Sequence, residues 1–186
     1  MCGRSTGAAV ECGACTIDPA SFERGHFGYV FEGPVREALH AFKFRGRKDV
    51  GRALVQTLEE LITSMASEFD LIMPLPVTEK RLRARGFNQC FIVSEEISRI
   101  TGKPIDHRTL RKTKETQDQY TLPKKERKKN LVRAFSIEGS GEALKGKRVL
   151  LVDDLYTTGN TAREASKTVA RAKPRAILFF ALARTP

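Results

Sequence analysis

The order of apolar and polar positions along the chain predicts strands that alternate with helices. Apolar residues recur with helical spacing in four segments, residues 34–44, 50–69, 87–100 and 161–172. Short apolar runs predict strands at DLIMPLP, RVLLVDD and RAILFFALA, and weaker patterns predict strands at PIDHRTL and LVRAFSI. Strands that alternate with helices are typical of an α/β fold with a mostly parallel sheet.

Three segments lack such a pattern. Residues 1–30 are rich in glycine and short of aliphatic side chains, which predicts a loop-like N-terminal segment attached to a main domain of residues 31–186. VTEKRLRARG, at the end of DLIMPLP, is predicted to be a basic loop. Residues 112–130 are polar and charged, so we interpret them as either a disordered surface loop or a functional lid.

The charge balance favours a phosphate-containing partner. Lysine and arginine number 33 against 22 acidic residues, and the net charge of +11 suits nucleic acids, nucleotides or other phosphates. A basic surface that only keeps the protein soluble is the plainer alternative. No apolar run approaches the roughly 20 residues of a membrane span, and the first residues have no signal-peptide character. We therefore expect a cytoplasmic protein.

The basic segment KFRGRK contains Phe44 and directly follows Phe42. Aromatic rings beside basic groups suit single-stranded DNA, whose bases stack on them. The same two rings also fit the core face of a helix, and we favour that interpretation. Cys90 stands alone in the helical pattern FNQCFIVSEEI, so we expect it to be a small buried residue.

The stretch VLLVDDLYTTGNT combines two acids with a loop suited to phosphate. Asp153 and Asp154 come at the end of a predicted buried strand, where open α/β sheets bind ligands. The residues that follow offer N–H groups, hydroxyl groups and a helix N-terminus to a phosphate: Thr157, Thr158, Gly159, Asn160 and Thr161. Since carboxylates accept hydrogen bonds from vicinal hydroxyls, the stretch predicts a site for a ribose 5-phosphate.

Two kinds of local structure compete with a ribose phosphate site here. A Walker B strand also ends in acids, but it needs a G-x-x-x-x-G-K-[ST] partner, and the sequence contains none. A strand that ends in a capping Asp before a Thr-rich helix start would be purely structural. A pair of acids followed at once by TTGNT is less typical of such a cap.

VLLVDDLYTTGNT closely resembles the phosphoribosyl-pyrophosphate (PRPP) motif of type I phosphoribosyltransferases. The stretches GPVREALHAFKFRGR and DLIMPLPVTEKRLRARGFNQ are similar to the ComF family within that superfamily, as are Thr116, Gln119, Leu122, Arg127, Asn130 and the RAF at 133–135. This resemblance implies a twisted, mostly parallel sheet flanked by helices, with a small N-terminal hood. It also implies PRPP with Mg²⁺ as the ligand.

The resemblance assigns roles to several residues. Asp153 and Asp154 would be catalytic, holding the ribose hydroxyls and stabilising positive charge on the sugar. The superfamily's pyrophosphate loop falls on Pro76, Val77 and Thr78, and the basic groups best placed to meet the diphosphate are Lys80, Arg81 and Arg85. A solvated basic turn is the alternative for those three. Residues 112–130 match the position of the superfamily's mobile catalytic loop, which excludes water.

The N-terminal cysteines suggest zinc. Cys12 and Cys15 form a C-x-x-C pair, which inside a cell indicates metal or redox chemistry. The resemblance implies a module of two such pairs, in which Cys2 would be half of the first pair. Three thiolates leave a structural zinc site one ligand short. Either the chain as given begins too late, or His26 or water completes the site, or the site is vestigial.

Two functions follow as hypotheses. The first is a pentosyl transferase that moves a phosphoribosyl group from PRPP to an unidentified nucleophile, in a family linked to DNA uptake and natural competence. The second is a non-catalytic module that binds single-stranded DNA together with competence proteins and uses PRPP only as a regulatory ligand. The fold does not decide between them, because phosphoribosyltransferase folds also serve as regulators.

Overall fold

The computed structural model describes residues 22–114 and 134–186. The strands are β1 Arg24–Val30, β2 Leu71–Pro74, β3 Leu110–Lys112, β4 Phe135–Ile137, β5 Arg148–Tyr156 and β6 Ala176–Arg184. The helices are α1 Gly33–Phe44, α2 Lys48–Gln56, α3 Glu59–Met65, α4 Glu79–Arg85, α5 Gln89–Thr101 and α6 Asn160–Ala170. Short 3₁₀ turns form at Ala66–Glu68 and Glu142–Leu144.

Four of these strands form one parallel sheet in the order β1-β6-β5-β2. The strands β3 and β4 pair separately as a short antiparallel ribbon. The central strands β5 and β6 are nearly continuous apolar runs, which a parallel sheet needs when both of its faces are covered. This architecture confirms the predicted α/β fold with a mostly parallel sheet and flanking helices.

Side chains on alternate positions of β5 enter two different cores, because successive residues of a strand point to opposite faces. Val149 and Leu151 pack on the side of the sheet covered by α6. Leu150 and Val152 pack on the other side, with residues of α1, α2, α3 and α5. Helices therefore cover β5 on both faces of the sheet.

Several local predictions were wrong. The predicted helix at residues 50–69 is broken at Leu58, so that α2 and α3 are separate helices followed by a 3₁₀ turn. The VTEKRLRARG segment, predicted as a loop, contains α4, which Thr78 caps at its start and Gly86 ends in the left-handed region at φ 75°. In PIDHRTL, only an isolated bridge at Ile105 and the start of β3 are extended.

The boundary at residue 30 also needs correction. Residues 24–30 were expected in the loop-like N-terminal segment, but they form β1, which pairs with β6 from Arg24 to Val30. Glycine occupies two positions of β1 and lowers the apolar content of its sequence. A partly exposed edge strand needs few apolar side chains, so the sequence pattern did not reveal it. The rest of the predicted N-terminal segment, residues 1–21, lies outside the described residues.

The two rings at the start of the KFRGRK segment, Phe42 and Phe44, differ in their surroundings. Phe42 is fully buried, as expected of a core residue, whereas Phe44 is 55% exposed, so its predicted place in the core was wrong. Cys90 is buried as predicted, with 3% exposure. In the described part of the chain, no helix combines the length and apolar character needed to cross a membrane.

Candidate functional site

The carboxyl ends of β2 and β5 bring two predicted site segments to one edge of the sheet. The strands pair in parallel through Pro74 and Val152, and the backbone N–H of Leu75 donates to the carbonyl of Val152 at 2.9 Å. Residues 76–78 therefore leave β2 directly beside Asp153 and Asp154 of β5. This placement agrees with the expected position of a pyrophosphate loop next to the acids, while the role itself stays a prediction.

Asp154 is buried and forms an ion pair across the fold. Its carboxylate oxygen Oδ2 lies 2.6 Å from Nζ of Lys43, which reaches it from α1. Oδ2 also accepts a longer hydrogen bond, 3.4 Å, from the side-chain amide of Gln89 at the start of α5. Neither partner was predicted from the sequence.

Asp153 faces a different set of groups. Its Oδ1 accepts a 2.8 Å hydrogen bond from the backbone N–H of Asp154 and a weak one, 3.5 Å, from the thiol of Cys90. Asn88 fixes this end of α5: its side chain accepts from the N–H of Cys90 and donates to the carbonyl of Leu75. The FNQC stretch therefore holds α5 against both acids.

The two carboxyl groups are pushed towards different protonation states. Burial and the negative charge of Asp154 raise the pKa of Asp153 to about 7, although Lys43 acts in the opposite direction. Burial acts to raise the pKa of Asp154, but the charge and hydrogen bond of Lys43, the hydrogen bond with Asp153 and the charge of Arg85 together lower it. Asp154 is therefore the ionised member of the pair near neutral pH.

The loop after β5 has the features expected of an anion site. Gly159 adopts φ 75° as the N-cap of α6, so the chain turns there into a helix start. Arg163 donates to the carbonyl of Thr158 at 3.0 Å, and Thr185 donates its N–H to the carbonyl of Tyr156. The buried hydroxyl of Thr158 has no hydrogen-bond partner within the described residues. A buried hydroxyl without a partner is costly, so this oxygen stands out among the atoms of the loop.

The remaining members of this loop lie at the same end of the sheet. Thr157 is half-buried and accepts a 3.4 Å hydrogen bond at its carbonyl from the hydroxyl of Thr185. Asn160 and Thr161, both half-buried, are the first two residues of α6. The structure therefore brings the whole predicted threonine loop to the edge that carries the two acids.

The basic residues of α4 lie near the site but are not equivalent. Lys80 is exposed, whereas Arg81 and Arg85 are half-buried. The backbone N–H of Arg81 donates to the hydroxyl of Thr78, which caps the helix. The guanidinium of Arg85 lies 5.1 Å from the centre of the Phe44 ring and lowers the pKa of Asp154. Arg85 is thus an α4 cation whose charge acts on Asp154.

The acids fit a hard divalent cation better than a soft one. One ligand atom each from Cys90, Asp153 and Asp154 lies within 4.8 Å of the others. Mg²⁺ prefers oxygen ligands, which the two carboxylates supply and the buried thiol does not. The predicted zinc ligands Cys2, Cys12 and Cys15 lie outside the described residues. His26, considered as a fourth ligand, is in contact with Glu68 at 3.2 Å.

Proteins with sequence similarity cover nearly the whole chain. Competence protein F of Haemophilus influenzae is 31% identical over 182 residues, which cover 95% of this chain and 79% of that protein. DNA utilization protein YhgH of Escherichia coli K12 is 28% identical over 191 residues, covering 100% and 83%. Competence protein ComFC of Bacillus subtilis is 25% identical over 193 residues, covering 100% and 77%.

A solved structure shares the fold. The glutamine PRPP amidotransferase of Bacillus subtilis matches with a TM-score of 0.52 and 19% identity, over 77% of this chain but only 30% of that enzyme. Such a likeness shows the type I phosphoribosyltransferase fold, as the resemblance implied, and does not extend to activity. No profile of a known protein family matches the chain. The identity and coverage shared with competence protein F nevertheless establish that this chain belongs to the ComF family.

Proposed function

We propose that this protein is a PRPP-binding, phosphoribosyltransferase-like protein that acts in DNA uptake. The observation that carries the proposal is the arrangement at the end of β5, where two acids of opposite pKa shift are followed by a threonine loop with an unpartnered buried hydroxyl. The relatives named competence protein F and DNA utilization protein support a role in DNA uptake. The amidotransferase with the same fold supports the ligand, since its name contains PRPP.

In this proposal the acids hold the pentose. Asp154, kept ionised by Lys43, accepts hydrogen bonds from the ribose hydroxyls and stabilises positive charge that develops on the sugar as pyrophosphate leaves. Asp153, with a pKa near neutrality, shares this contact and can exchange a proton in the physiological range. The fixed positions of both carboxylates lower the cost of orienting the substrate.

The threonine loop binds the 5-phosphate. Backbone N–H groups at the start of α6 and the helix dipole both favour an anion there, and the hydroxyl of Thr158 becomes a hydrogen-bond donor to it. Residues 76–78 and the cations Lys80, Arg81 and Arg85 then meet the diphosphate from the β2 side. Mg²⁺ would be held by the carboxylates of Asp153 and Asp154 together with substrate oxygens, and it would neutralise diphosphate charge.

The test is calorimetric titration of PRPP in the presence of Mg²⁺. The double substitution Asp153→Asn with Asp154→Asn removes both carboxyl groups at nearly constant volume, and we expect it to abolish binding. Asp49→Asn is the matched control. Asp49 is distant from the two acids in the sequence and pairs with Arg47 at the surface, so this substitution should leave the affinity unchanged. Unchanged affinity in the double variant would refute the site.

A second candidate function is DNA binding without catalysis, with PRPP as a regulatory ligand. The net charge of +11 and the exposed Phe44 ring beside basic residues favour it. A screen that follows pyrophosphate release from PRPP, with and without single-stranded DNA, separates the two. Release that depends on an added acceptor supports the transferase. DNA affinity that falls steeply with salt, together with no release, supports the binding module.

A further inference from the structure

A cleft of about 700 Å³ lies between α1 and the end of β5. Its α1 wall consists of residues at helical spacing, among them Arg36, His40 and Lys43, and its opposite wall includes Asp154 and Leu155. A concave space of several hundred Å³ with mixed apolar and polar walls is typical of small-molecule sites. The cleft shares Asp154 with the proposed pentose site but contains none of residues 157–161, so it is a separate space beside that site.

Phe44 gives the cleft an exposed aromatic surface. Phe44 is 55% exposed, although two neighbouring side chains contact its ring. The ring of His40, one turn earlier in α1, has its centre 4.8 Å away, and the guanidinium of Arg85 lies 5.1 Å from the centre of the Phe44 ring. A ring held in this way offers a planar ligand a stacking partner that needs little further ordering.

The charges in the cleft favour an anionic ligand. Arg36 and Arg45 line it, both are exposed, and neither has an ion-pair partner among residues 22–114 and 134–186. Lys43 is committed to Asp154, and Glu37 is the remaining acid in the lining. Apart from the Lys43–Asp154 pair, the lining thus contains the two guanidinium groups of Arg36 and Arg45 and the one carboxylate of Glu37. Guanidinium groups bind phosphate oxygens with paired hydrogen bonds.

We propose that this cleft binds a nucleotide, with its base stacked on Phe44 and its phosphate facing Arg36 and Arg45. A nucleobase joined to a phosphate is the chemistry that combines a planar ring with an anion. The ligand has two sources with the same chemistry, a free mononucleotide or a nucleotide of single-stranded DNA. The cleft adjoins the proposed pentose site at Asp154. The inference therefore rests on the proposed function only in taking PRPP as the ligand of that neighbouring site.

The test uses the fluorescence of 2-aminopurine, which is quenched when the base stacks. The protein contains no tryptophan, so the signal is free of overlap from indole. The probes are 2-aminopurine ribonucleoside monophosphate and a short single-stranded oligonucleotide with one 2-aminopurine. We expect both to bind wild-type protein with quenching, and Phe44→Leu to weaken binding about tenfold. Phe44→Tyr keeps a stacking ring without adding an indole and should restore most of the affinity.

Phe91→Leu is the matched control. Phe91 also contacts a histidine, with ring centres of Phe91 and His107 5.3 Å apart, but it does not line the cleft. We expect this variant to bind both probes like wild type. Equal losses in Phe44→Leu and Phe91→Leu, or failure of both probes to bind wild-type protein, would overturn the proposal. Binding of the oligonucleotide alone in a Phe44-dependent way supports it and identifies DNA as the source, and binding of the mononucleotide alone identifies free nucleotide.

Calorimetry with PRPP separates this inference from the proposed function. Phe44→Leu should still bind PRPP with Mg²⁺, because it leaves the two acids and the threonine loop unchanged, and any loss should stay small because only the Arg85 guanidinium packs against the Phe44 ring. If PRPP binds but the 2-aminopurine probes do not, the cleft proposal fails and the proposed function stands. If the probes bind through Phe44 but PRPP does not bind, the cleft proposal stands and the proposed function fails.

Discussion

Lys43 and Asp154 form a largely buried ion pair that joins helix α1 to strand β5. The ammonium nitrogen lies 2.6 Å from the carboxylate oxygen, and the two side chains are 18% and 7% exposed. A residue of the basic KFRGRK segment thus belongs to the acidic site. The pair helps to explain how a buried aspartate beside a second aspartate remains ionised, because Lys43, together with Asp153 and Arg85, lowers its pKa against the effect of burial.

Removing Lys43 should destabilise the protein markedly. Lys43→Met leaves the Asp154 carboxylate buried without a cation, and we expect the free energy of unfolding near neutral pH to fall by roughly 3 kcal/mol. Urea denaturation measures the loss. Adding Asp154→Asn removes the uncompensated charge, so the double variant should recover most of the stability.

The surface pair Arg47 and Asp49 is the control for this cycle. Its charged atoms are 2.7 Å apart, but both side chains are mostly exposed, so solvent screens the interaction. Arg47→Met should leave the urea midpoint nearly unchanged. A Lys43→Met variant as stable as Arg47→Met would show that the buried pair contributes no more than a solvated one.

The raised pKa of Asp153 predicts a specific pH dependence. In the folded state this group holds its proton up to about pH 7, whereas in the unfolded chain it loses it near its ordinary value of 3.8. The folded state therefore binds more protons between these values, and the contribution of Asp153 to stability falls as pH rises through this window. Asp153→Asn stays neutral and escapes this loss.

Urea denaturation of wild type and Asp153→Asn across the window measures the effect. The stability advantage of Asp153→Asn should grow by on the order of 2 to 4 kcal/mol from about pH 4 to about pH 7 and then level off. An advantage that is constant with pH, or that shrinks as pH rises, would contradict the raised pKa. Asp49→Asn is again the control. Arg47 lowers the pKa of Asp49 to about 2, so the folded protein's Asp49 carboxyl group does not titrate in this window.

Much of the fold was predictable because the central elements are long and strongly periodic. The apolar runs that became β5 and β6, and the helical pattern that became α5, agree with the structure. The break between α2 and α3 was not predictable from spacing, because Leu54, Leu58 and Leu61 keep an apolar stripe across it. Likewise, α4 was missed because in the described structure none of its own residues is buried, so it has no apolar face to reveal it.

The site was predictable only where its residues are neighbours in the sequence. Asp153, Asp154 and the threonine loop form one local stretch, and so its chemistry could be inferred directly. Lys43 and Gln89 contact Asp154 through tertiary packing, which no local pattern encodes. The signal that existed was their place in GPVREALHAFKFRGR and DLIMPLPVTEKRLRARGFNQ, the two stretches that resemble the ComF family.

Gly159 should tolerate no side chain. It adopts φ 75°, and a Cβ there would overlap the side chain of Tyr156. Gly146 has a similar φ of 68° but open space around it, so it controls for backbone strain alone. We expect Gly146→Ala to lose about 1 to 2 kcal/mol of stability and to bind PRPP normally. Gly159→Ala should lose more stability, measured by urea denaturation, and should also lose PRPP affinity by calorimetry; equal behaviour of the two variants would contradict the packing argument.

Thr78 connects the end of β2 to the cations of α4 through its hydroxyl. As the N-cap of α4 it accepts a hydrogen bond from the N–H of Arg81, and it is 6% exposed. Thr78→Ala should therefore cost about 1 kcal/mol and loosen the first turn, which carries Lys80 and Arg81. In calorimetric titrations with Mg²⁺, PRPP affinity should fall with it. Thr78→Ser keeps the capping oxygen and should preserve both quantities, so a serine variant as impaired as the alanine variant would assign the effect to the lost methyl group rather than to the cap.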